Sequence, residues 1–144
     1  MFQILKNKVK NLFVNQKSDN TWLSGEVIRG RGFAKKIKSP TLNFNNPEVL
    51  LGQREGVYAC FLKINNKTYQ GVLYYGPRLI LKEKKNIIEI FVFDFNREIY
   101  GETVFFRLAG FIREPKNFSD FISLQKQLKQ DCSEAIKTLE STKQ

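Results

Sequence analysis

The chain has 144 residues, 42% of them hydrophobic, and a formal net charge of +10. This length is enough for one domain with its own core, and the thirteen Phe residues argue against a disordered chain. No apolar run is long enough to span a membrane, and residues 1–16 lack the pattern of a secretory signal, so we expect a cytoplasmic protein.

The chain contains no histidine, which limits the chemistry it can perform. Ser-His and Cys-His nucleophile pairs and His-ligated zinc are excluded. The spacing of Cys60 and Cys132 matches no zinc pattern, and without a secretion signal we expect both to be buried thiols, with a disulfide as the alternative. Any catalysis should therefore use carboxylates and hard metal ions.

The positive charge is concentrated at the N-terminus. Residues 1–40 contain nine Lys or Arg against two acidic residues, hence +7, whereas the remaining 104 residues carry +3. Such a field can attract a nucleotide, a nucleic acid or an acidic partner. Residues 2–13 have apolar positions at helical spacing between lysines, which indicates an amphipathic helix that either packs on its own domain or contacts a membrane surface or partner. We divide the chain into a basic extension, 1–21, and a folded domain, 22–144.

From Trp22 onward the chain has the pattern of short strands. Asn65-Asn66 predicts a tight hairpin, Asp94 is interpreted as a turn residue, and Tyr100-Gly101 marks the turn before the last strand. Several strands with no helix between them predict a small antiparallel barrel or sandwich. The strand-like segments are WLSGEVIRG, GVYACFLKINN, KTYQGVLYYG, IIEIFVFDF and ETVFFRLAGFI.

The C-terminal segment changes to helical periodicity. Apolar residues recur at helical intervals from Phe118 to Leu139. Ser119 is the expected N-cap, with Asp120 in the first turn. We predict a helix over 119–140, continuous or broken, laid against the barrel.

A glycine-rich, basic loop, GRGFAKKIKSPTLN, follows the first strand. Gly30 and Gly32 would let the backbone approach a ligand closely, and Lys35 and its neighbours supply positive charge. The spacing is not that of a Walker A loop. Thr41 and Asn43 are two residues apart, hence on one face of an extended segment, where a hydroxyl and an amide oxygen suit a cation such as Mg²⁺. The alternative is a glycine-hinged basic loop that leads into a strand.

Glu89 interrupts an otherwise apolar strand. Strand alternation puts it on the same face as Phe91 and Phe93. A carboxylate beside two phenyl rings is partly desolvated, which makes it a better proton acceptor. The alternative is a solvent-facing glutamate on a half-exposed strand.

Taken in order, six stretches resemble the riboflavin kinase (flavokinase) family, including the kinase module of bacterial bifunctional FAD synthetases. They are SGEVIRGRG, SPTLNF, GVYACFLKINNKTYQGVLYYG, IIEIFVFDFNREIYGE, GFIREPKNF and LKQDCSEAI. The resemblance implies a mainly β fold, a six-stranded antiparallel Greek-key barrel with a C-terminal helix. The chain departs from the family pattern at Lys38-Ser39, at Leu42, and in GPRLIL, which keeps Gly76 and Arg78 but lacks the usual Pro-Thr.

The resemblance also implies an activity, with ATP and riboflavin as substrates and FMN and ADP as products. Thr41 and Asn43 match the pair that binds Mg²⁺, or another divalent cation, and the nucleotide phosphates. Glu89 matches the catalytic base that takes the proton of the ribityl 5′-hydroxyl.

Further contacts are implied for the same substrates. Gly30, Gly32 and Lys35 would flank ATP, and Arg113 would border the flavin. We expect a monomer without a nucleic-acid or membrane partner, which makes FMN but does not adenylylate it, because 21 residues leave no room for a nucleotidyltransferase module. The alternatives are a non-catalytic flavin- or nucleotide-binding barrel and a basic single-stranded nucleic-acid binder.

Overall fold

Residues 21–30 and 41–142 are described by the structure, a computed structural model, and they form six β-strands and one α-helix. The elements are β1 (Leu23–Ile28), β2 (Leu42–Phe44), β3 (Gly56–Ile64), β4 (Lys67–Pro77), β5 (Asn86–Val92), β6 (Thr103–Arg113) and α1 (Phe121–Ser141). Short 3₁₀ turns occur at Pro47–Leu50 and Leu79–Leu81. The predicted helix over residues 2–13, and Gly32 and Lys35, lie outside the described residues.

The strands form a closed antiparallel barrel in the order β1-β2-β5-β4-β3-β6, in which β6 pairs back with β1. The predicted six-stranded Greek-key barrel with a C-terminal helix is confirmed. β3 and β4 form the expected hairpin, since Asn65 and Asn66 have φ values of 50° and 66°, as a two-residue type I′ turn requires. β5 and β6 are neighbours in sequence but not in the sheet, because the chain between them crosses to the other side of the barrel.

Alternation along the strands separates two apolar clusters. The barrel interior includes Tyr58, Cys60 and Leu62 from β3. The outward residues of the same strand pack under α1, so β3 is buried on both faces. This second cluster comprises Val57, Ala59, Phe61, Val72, Ala135 and Leu139.

Two predicted boundaries were wrong. β5 ends at Val92 instead of continuing through FDF, because Asp94 has φ 57°, a left-handed turn conformation that also confirms its turn role. The N-cap of α1 is Asp120 and not Ser119, because Asp120 has extended backbone and its carboxylate accepts a hydrogen bond from the Ser123 backbone N–H at 2.7 Å. The helix then continues to Ser141 without a break.

Cys60 and Cys132 are free thiols; Cys60 is buried, as predicted, whereas the prediction was wrong for Cys132, which is only partly buried. Burial raises the pKa of both thiols, and the carboxylate of Asp131 raises that of Cys132 further. Both are therefore poor nucleophiles at neutral pH. No helix in residues 21–30 and 41–142 has the length and apolar character needed to cross a membrane.

Candidate active site

Glu89 lies on the outside of the barrel, where three strands meet. Its neighbours Ile88 and Ile90 are fully buried in the interior, so Glu89 points outward, as the alternation predicts. It pairs with Asn43 of β2 on one side and with Tyr74 of β4 on the other. Long-range strand pairing thus brings the predicted base beside the predicted metal-binding segment.

Thr41 and Glu89 form a direct hydrogen bond. The hydroxyl Oγ1 of Thr41 donates to Oε1 of Glu89 at 2.6 Å, and the bond is partly buried. This hydrogen bond orients the Glu89 carboxylate. Because the hydroxyl proton points toward Glu89, the lone pairs of Thr41 Oγ1 remain available to bind a cation. The two predicted groups therefore act as one unit.

The side chain of Asn43 is held between Gly30 and Arg78. Nη2 of Arg78 donates to Oδ1 of Asn43 at 2.9 Å. On the other side, a Cβ at position 30 would overlap Nδ2 of Asn43. The missing side chain of Gly30 therefore makes room for the Asn43 amide, a reason that the sequence pattern did not indicate.

Thr41, Glu89 and Arg78 border a large cavity of about 580 Å³, a volume within the usual range for small-molecule sites. One side, the strand wall, consists of Thr41, Val57, Val72, Tyr74, Glu89 and Phe91. The other side, the helix wall, belongs to α1 and the segment before it and consists of Lys116, Phe118, Leu124, Gln125, Leu128, Lys129, Asp131 and Cys132, with Arg113 of β6 beside it. Pro77, Arg78, Leu79 and Ile80 complete the lining. A smaller cavity of about 220 Å³ is bordered by Arg29, Gly30, Asn43 and, again, Arg78.

Arg113 lines the large cavity, but its guanidinium is engaged by the helix. Nε and Nη2 donate to the two carboxylate oxygens of Asp131, each at 2.8 Å, and Gln127 donates to the same carboxylate at 3.0 Å. Because both carboxylate oxygens accept from Arg113, the pair is bidentate. Asp131 is 1% exposed, which shields its carboxylate from water. The pair joins α1 to β6, and a direct contact between Arg113 and a flavin stays a prediction.

Among the described residues that line the large cavity, the carboxylates are Glu89 and Asp131. Burial raises the pKa of Tyr74 to about 12, with a smaller contribution from Glu55, and its hydroxyl donates to the Pro77 carbonyl oxygen at 2.5 Å. Tyr74 is therefore protonated at neutral pH. Asp131 is neutralised by its ion pair, which leaves Glu89 as the carboxylate available for proton transfer among the described lining residues.

The chemistry of the oxygen atoms in this region fits a hard cation. Thr41 offers a hydroxyl oxygen, Glu89 a carboxylate, and Asn43 an amide oxygen that keeps one lone pair after accepting from Arg78. Mg²⁺ prefers such ligands, usually takes one or two from the protein, and completes its shell with water and substrate phosphates.

Two residues of this region, Arg78 and Asp131, lie in stretches that the sequence interpretation quoted, but it assigned neither of them a role in the site. Arg78 has a weak signal, a lone cation directly after a strand that ends in Gly-Pro. Asp131 has a stronger one, because it occupies the apolar stripe of α1 between Leu128 and Ala135. A buried acid in such a stripe needs a partner, which here is Arg113.

Comparison with known proteins places this architecture in a family. The solved riboflavin kinase from Trypanosoma brucei superposes with a TM-score of 0.60 over 84% of this chain and 80% of its own, at 19% identity, which establishes the shared barrel fold. Residues 18–139 match the family model described as Flavokinase: Riboflavin kinase. The chain belongs to the riboflavin kinase family.

Curated relatives differ in how much of their length this chain spans. The RNA-binding riboflavin kinase RibR of Bacillus subtilis is 34% identical over 83% of this chain, which spans 52% of that protein. Human riboflavin kinase is 29% identical over 81% of this chain, which spans 79% of it. The chain therefore spans about half of the bacterial relative and most of the human one.

Proposed function

We propose that the protein is an ATP-dependent riboflavin kinase, which forms FMN and ADP from riboflavin and ATP. The observation that carries the proposal is the hydrogen bond between Thr41 and Glu89 at the wall of the large cavity. It combines a positioned carboxylate base with an oxygen ligand suited to a metal-bound nucleotide. Family membership supports the same reaction.

In this reaction Glu89 accepts the proton of the ribityl 5′-hydroxyl as that oxygen attacks the γ-phosphorus. The new bond joins the 5′-oxygen to the γ-phosphorus, and the bond to the β,γ-bridging oxygen breaks, so ADP leaves with that oxygen. Thr41 keeps the Glu89 carboxylate oriented during the transfer. Most of the rate would come from this positioning and from neutralisation of the phosphates.

Thr41 and Asn43 would hold Mg²⁺ with the nucleotide phosphates. When bound, the cation neutralises charge on the phosphate oxygens and fixes their orientation. Arg29 borders the smaller cavity beside Asn43 and adds positive charge on the side where phosphates would lie.

The rest of the large cavity suits a planar apolar ring. Val57, Val72 and Phe91 of the strand wall line it together with Leu124 and Leu128 of the helix wall. An isoalloxazine ring between these side chains would direct its ribityl chain toward Glu89. Lys116 and Lys129 lie at the same cavity and could pair with the product phosphate.

The test is conversion of riboflavin to FMN by the purified protein, separated by chromatography. With ATP and Mg²⁺ we expect FMN, and with EDTA in excess over Mg²⁺ we expect none. Folded protein that forms no FMN with any nucleoside triphosphate or divalent cation, but still quenches riboflavin fluorescence, would support the non-catalytic flavin binder instead.

We also propose that the protein acts as a cytoplasmic monomer on these small molecules. A reaction that consumes ATP fits that compartment. Sedimentation at several protein concentrations would test the monomer, and fractionation of cells would test the location.

A second candidate function, binding of single-stranded RNA, rests on the outer surface of β1, β3 and β6. The Trp22 ring lies 4.3 Å from Nζ of Lys63 and 5.5 Å from the guanidinium carbon of Arg107, measured to the ring centroid. Phe105, 48% exposed, pairs across the sheet with Lys63. Aromatic rings between cations are a common platform for single strands, and the Bacillus relative is named as RNA-binding.

Anisotropy of a labelled oligouridylate would test this candidate. Binding should weaken steeply with salt, and Phe105→Ala should weaken it by about 5- to 100-fold if a base stacks there. Leu51→Ala, an exposed apolar change outside this patch, serves as the control. Equal affinities of the wild type and Phe105→Ala would reject the surface.

A further inference from the structure

Arg78 lies where the two cavities meet. Of the described residues that line them, it is the one that both share. Its side chain is 16% exposed, and Nη2 donates to the amide oxygen of Asn43 at 2.9 Å. A charged donor on a partly buried amide oxygen gives a strong and directional hydrogen bond.

Arg78 is itself fixed by the turn that follows β4. Its carbonyl oxygen accepts from the backbone N–H groups of Leu81 at 3.1 Å and Glu83 at 3.2 Å. Nη1 lies 3.8 Å from Oε1 of Glu83. The same turn contributes Leu79 and Ile80 to the large cavity, so Arg78 connects that part of the lining to Asn43.

The orientation of the Asn43 amide decides what it can bind. With Oδ1 toward Arg78, Nδ2 lies on the side of Gly30. A half-turn of the amide would exchange the oxygen for an NH₂ group, which is a donor and cannot bind a cation. The guanidinium of Arg78 has donors and no acceptor, so it favours the orientation in which the Asn43 amide oxygen points toward it. The reverse orientation is disfavoured because it would place the amide NH₂ group against the positively charged guanidinium.

We propose that Arg78 is a positioning residue, which keeps the Asn43 amide oxygen available to the metal-bound nucleotide. The inference rests on the proposed function for the identity of that ligand. It deepens the proposed function by assigning Arg78 to a role that acts through Asn43 and not through the flavin.

The test is a double-mutant cycle on the binding of MgADP, measured by calorimetry. Arg78→Ala and Asn43→Ala should each weaken MgADP by about tenfold, the size expected for one hydrogen bond to a charged group. Because Arg78 acts through Asn43, the double variant should bind no more weakly than Asn43→Ala alone. Without Mg²⁺, the two single variants should bind ADP nearly as well as the wild type does.

Two controls separate positioning from other roles. Lys84→Ala removes a charge from an exposed position of the same loop and should leave MgADP affinity within about twofold of wild type. Riboflavin affinity, read from fluorescence quenching, should also stay within about twofold in Arg78→Ala, because a positioning role does not move the lining at Leu79 and Ile80. If Arg78→Ala does not fold, Arg78→Gln takes its place in the cycle.

Several outcomes would overturn the proposal. Additive losses would mean that Arg78 binds the phosphates directly. A parallel loss of riboflavin affinity would mean that Arg78 merely supports the turn. An unchanged MgADP affinity in either single variant would mean that Arg78 does not act on the nucleotide through Asn43. Binding of MgADP needs no phosphoryl transfer. If the wild type made no FMN, the proposed function would be contradicted, but the double-mutant cycle on MgADP binding could still be measured.

Discussion

The two walls of the large cavity are attached to the barrel in different ways. The strand wall carries Thr41 and Glu89 on or beside paired strands, and their hydrogen bond spans 48 residues of sequence. The helix wall belongs to α1 and the segment before it, and it is joined to β6 by the Arg113–Asp131 ion pair and to the sheet by apolar contacts. The reactive groups lie on the part held by backbone hydrogen bonds, and the enclosing groups lie on the part held by side chains.

Because of this difference, we expect substitutions in the two walls to affect different properties of the protein. A change on the strand wall should affect the chemical step, because barrel pairing keeps the fold intact around it. A substitution in the Arg113–Asp131 ion pair should mainly affect stability and flavin binding, because α1 is attached only through side chains in the described part of the chain.

The largest effect is expected at the proposed base. Glu89→Gln keeps the size of the side chain but removes its ability to accept the hydroxyl proton. Turnover should fall by about 10²–10⁴-fold, roughly 3–5 kcal/mol of barrier, with riboflavin affinity largely kept. Steady-state FMN formation and fluorescence quenching measure the two quantities.

The matched control for that change is Glu98→Gln, an exposed glutamate outside the cavity lining. It should behave as the wild type does. A Glu89→Gln variant with near wild-type turnover would show that the base lies elsewhere.

Asp131→Ala is expected to have the second largest effect. The change leaves Arg113 without its carboxylate partner, and loss of a buried partner costs about 3 kcal/mol of unfolding free energy, the low end of the usual range because Arg113 is 20% exposed. Riboflavin affinity should fall, while turnover at saturating riboflavin changes less. Denaturant unfolding and fluorescence quenching report these effects.

Glu134→Gln on the exposed side of α1 is the control, since its ion pair with Lys137 is open to solvent and contributes little. If Asp131→Ala lowered turnover as strongly as Glu89→Gln does, the division between the two walls would be wrong.

Gly30→Ala should have a smaller and more selective effect. The added methyl group would displace the Asn43 amide, so KM for MgATP should rise about tenfold, equivalent to one lost charged hydrogen bond, with riboflavin affinity unchanged. Initial-rate kinetics at varied ATP measure it, and Ser24→Ala, an exposed change in β1, the strand that precedes Gly30, is the control. An unchanged KM would mean that Asn43 tolerates the shift or does not bind the nucleotide.

The smallest effect concerns alkaline pH. Burial raises the pKa of Tyr74, on the strand wall, and of Tyr58, in the barrel interior, to about 12 from an ordinary 10.0. Because the folded state holds these protons more tightly, their contribution to stability is complete below pH 10 and is lost as the pH rises toward 12.

Tyrosinate absorbance would follow this titration. Tyr58 and Tyr74 should ionise late, and Tyr74→Phe should remove one late group. Simultaneous ionisation of all tyrosines near pH 10 in folded protein would contradict the assigned burial.

Local patterns predicted most of the elements. The alternation around Glu89 correctly predicted which side chains of β5 enter the core, and Asn65-Asn66 predicted the β3–β4 turn. The errors fell at ends: Phe93–Phe95 looked like strand but followed a turn at Asp94, and two adjacent polar residues competed for the N-cap, which Asp120 occupies. A pattern of residue types records the period of an element more clearly than its last residue.

Local patterns in the sequence therefore predicted five of the six strands, the hairpin, the C-terminal helix, and the polar candidates Thr41, Asn43 and Glu89, because each depends on a period or a turn within a few residues. The tertiary structure alone decided that β2 pairs with β5, which joins Thr41 to Glu89, and that Arg78 reaches Asn43. It also decided that Arg113 binds Asp131. These contacts depend on the strand order of a closed barrel, which no local pattern encodes, since each joins residues from 18 to 48 positions apart.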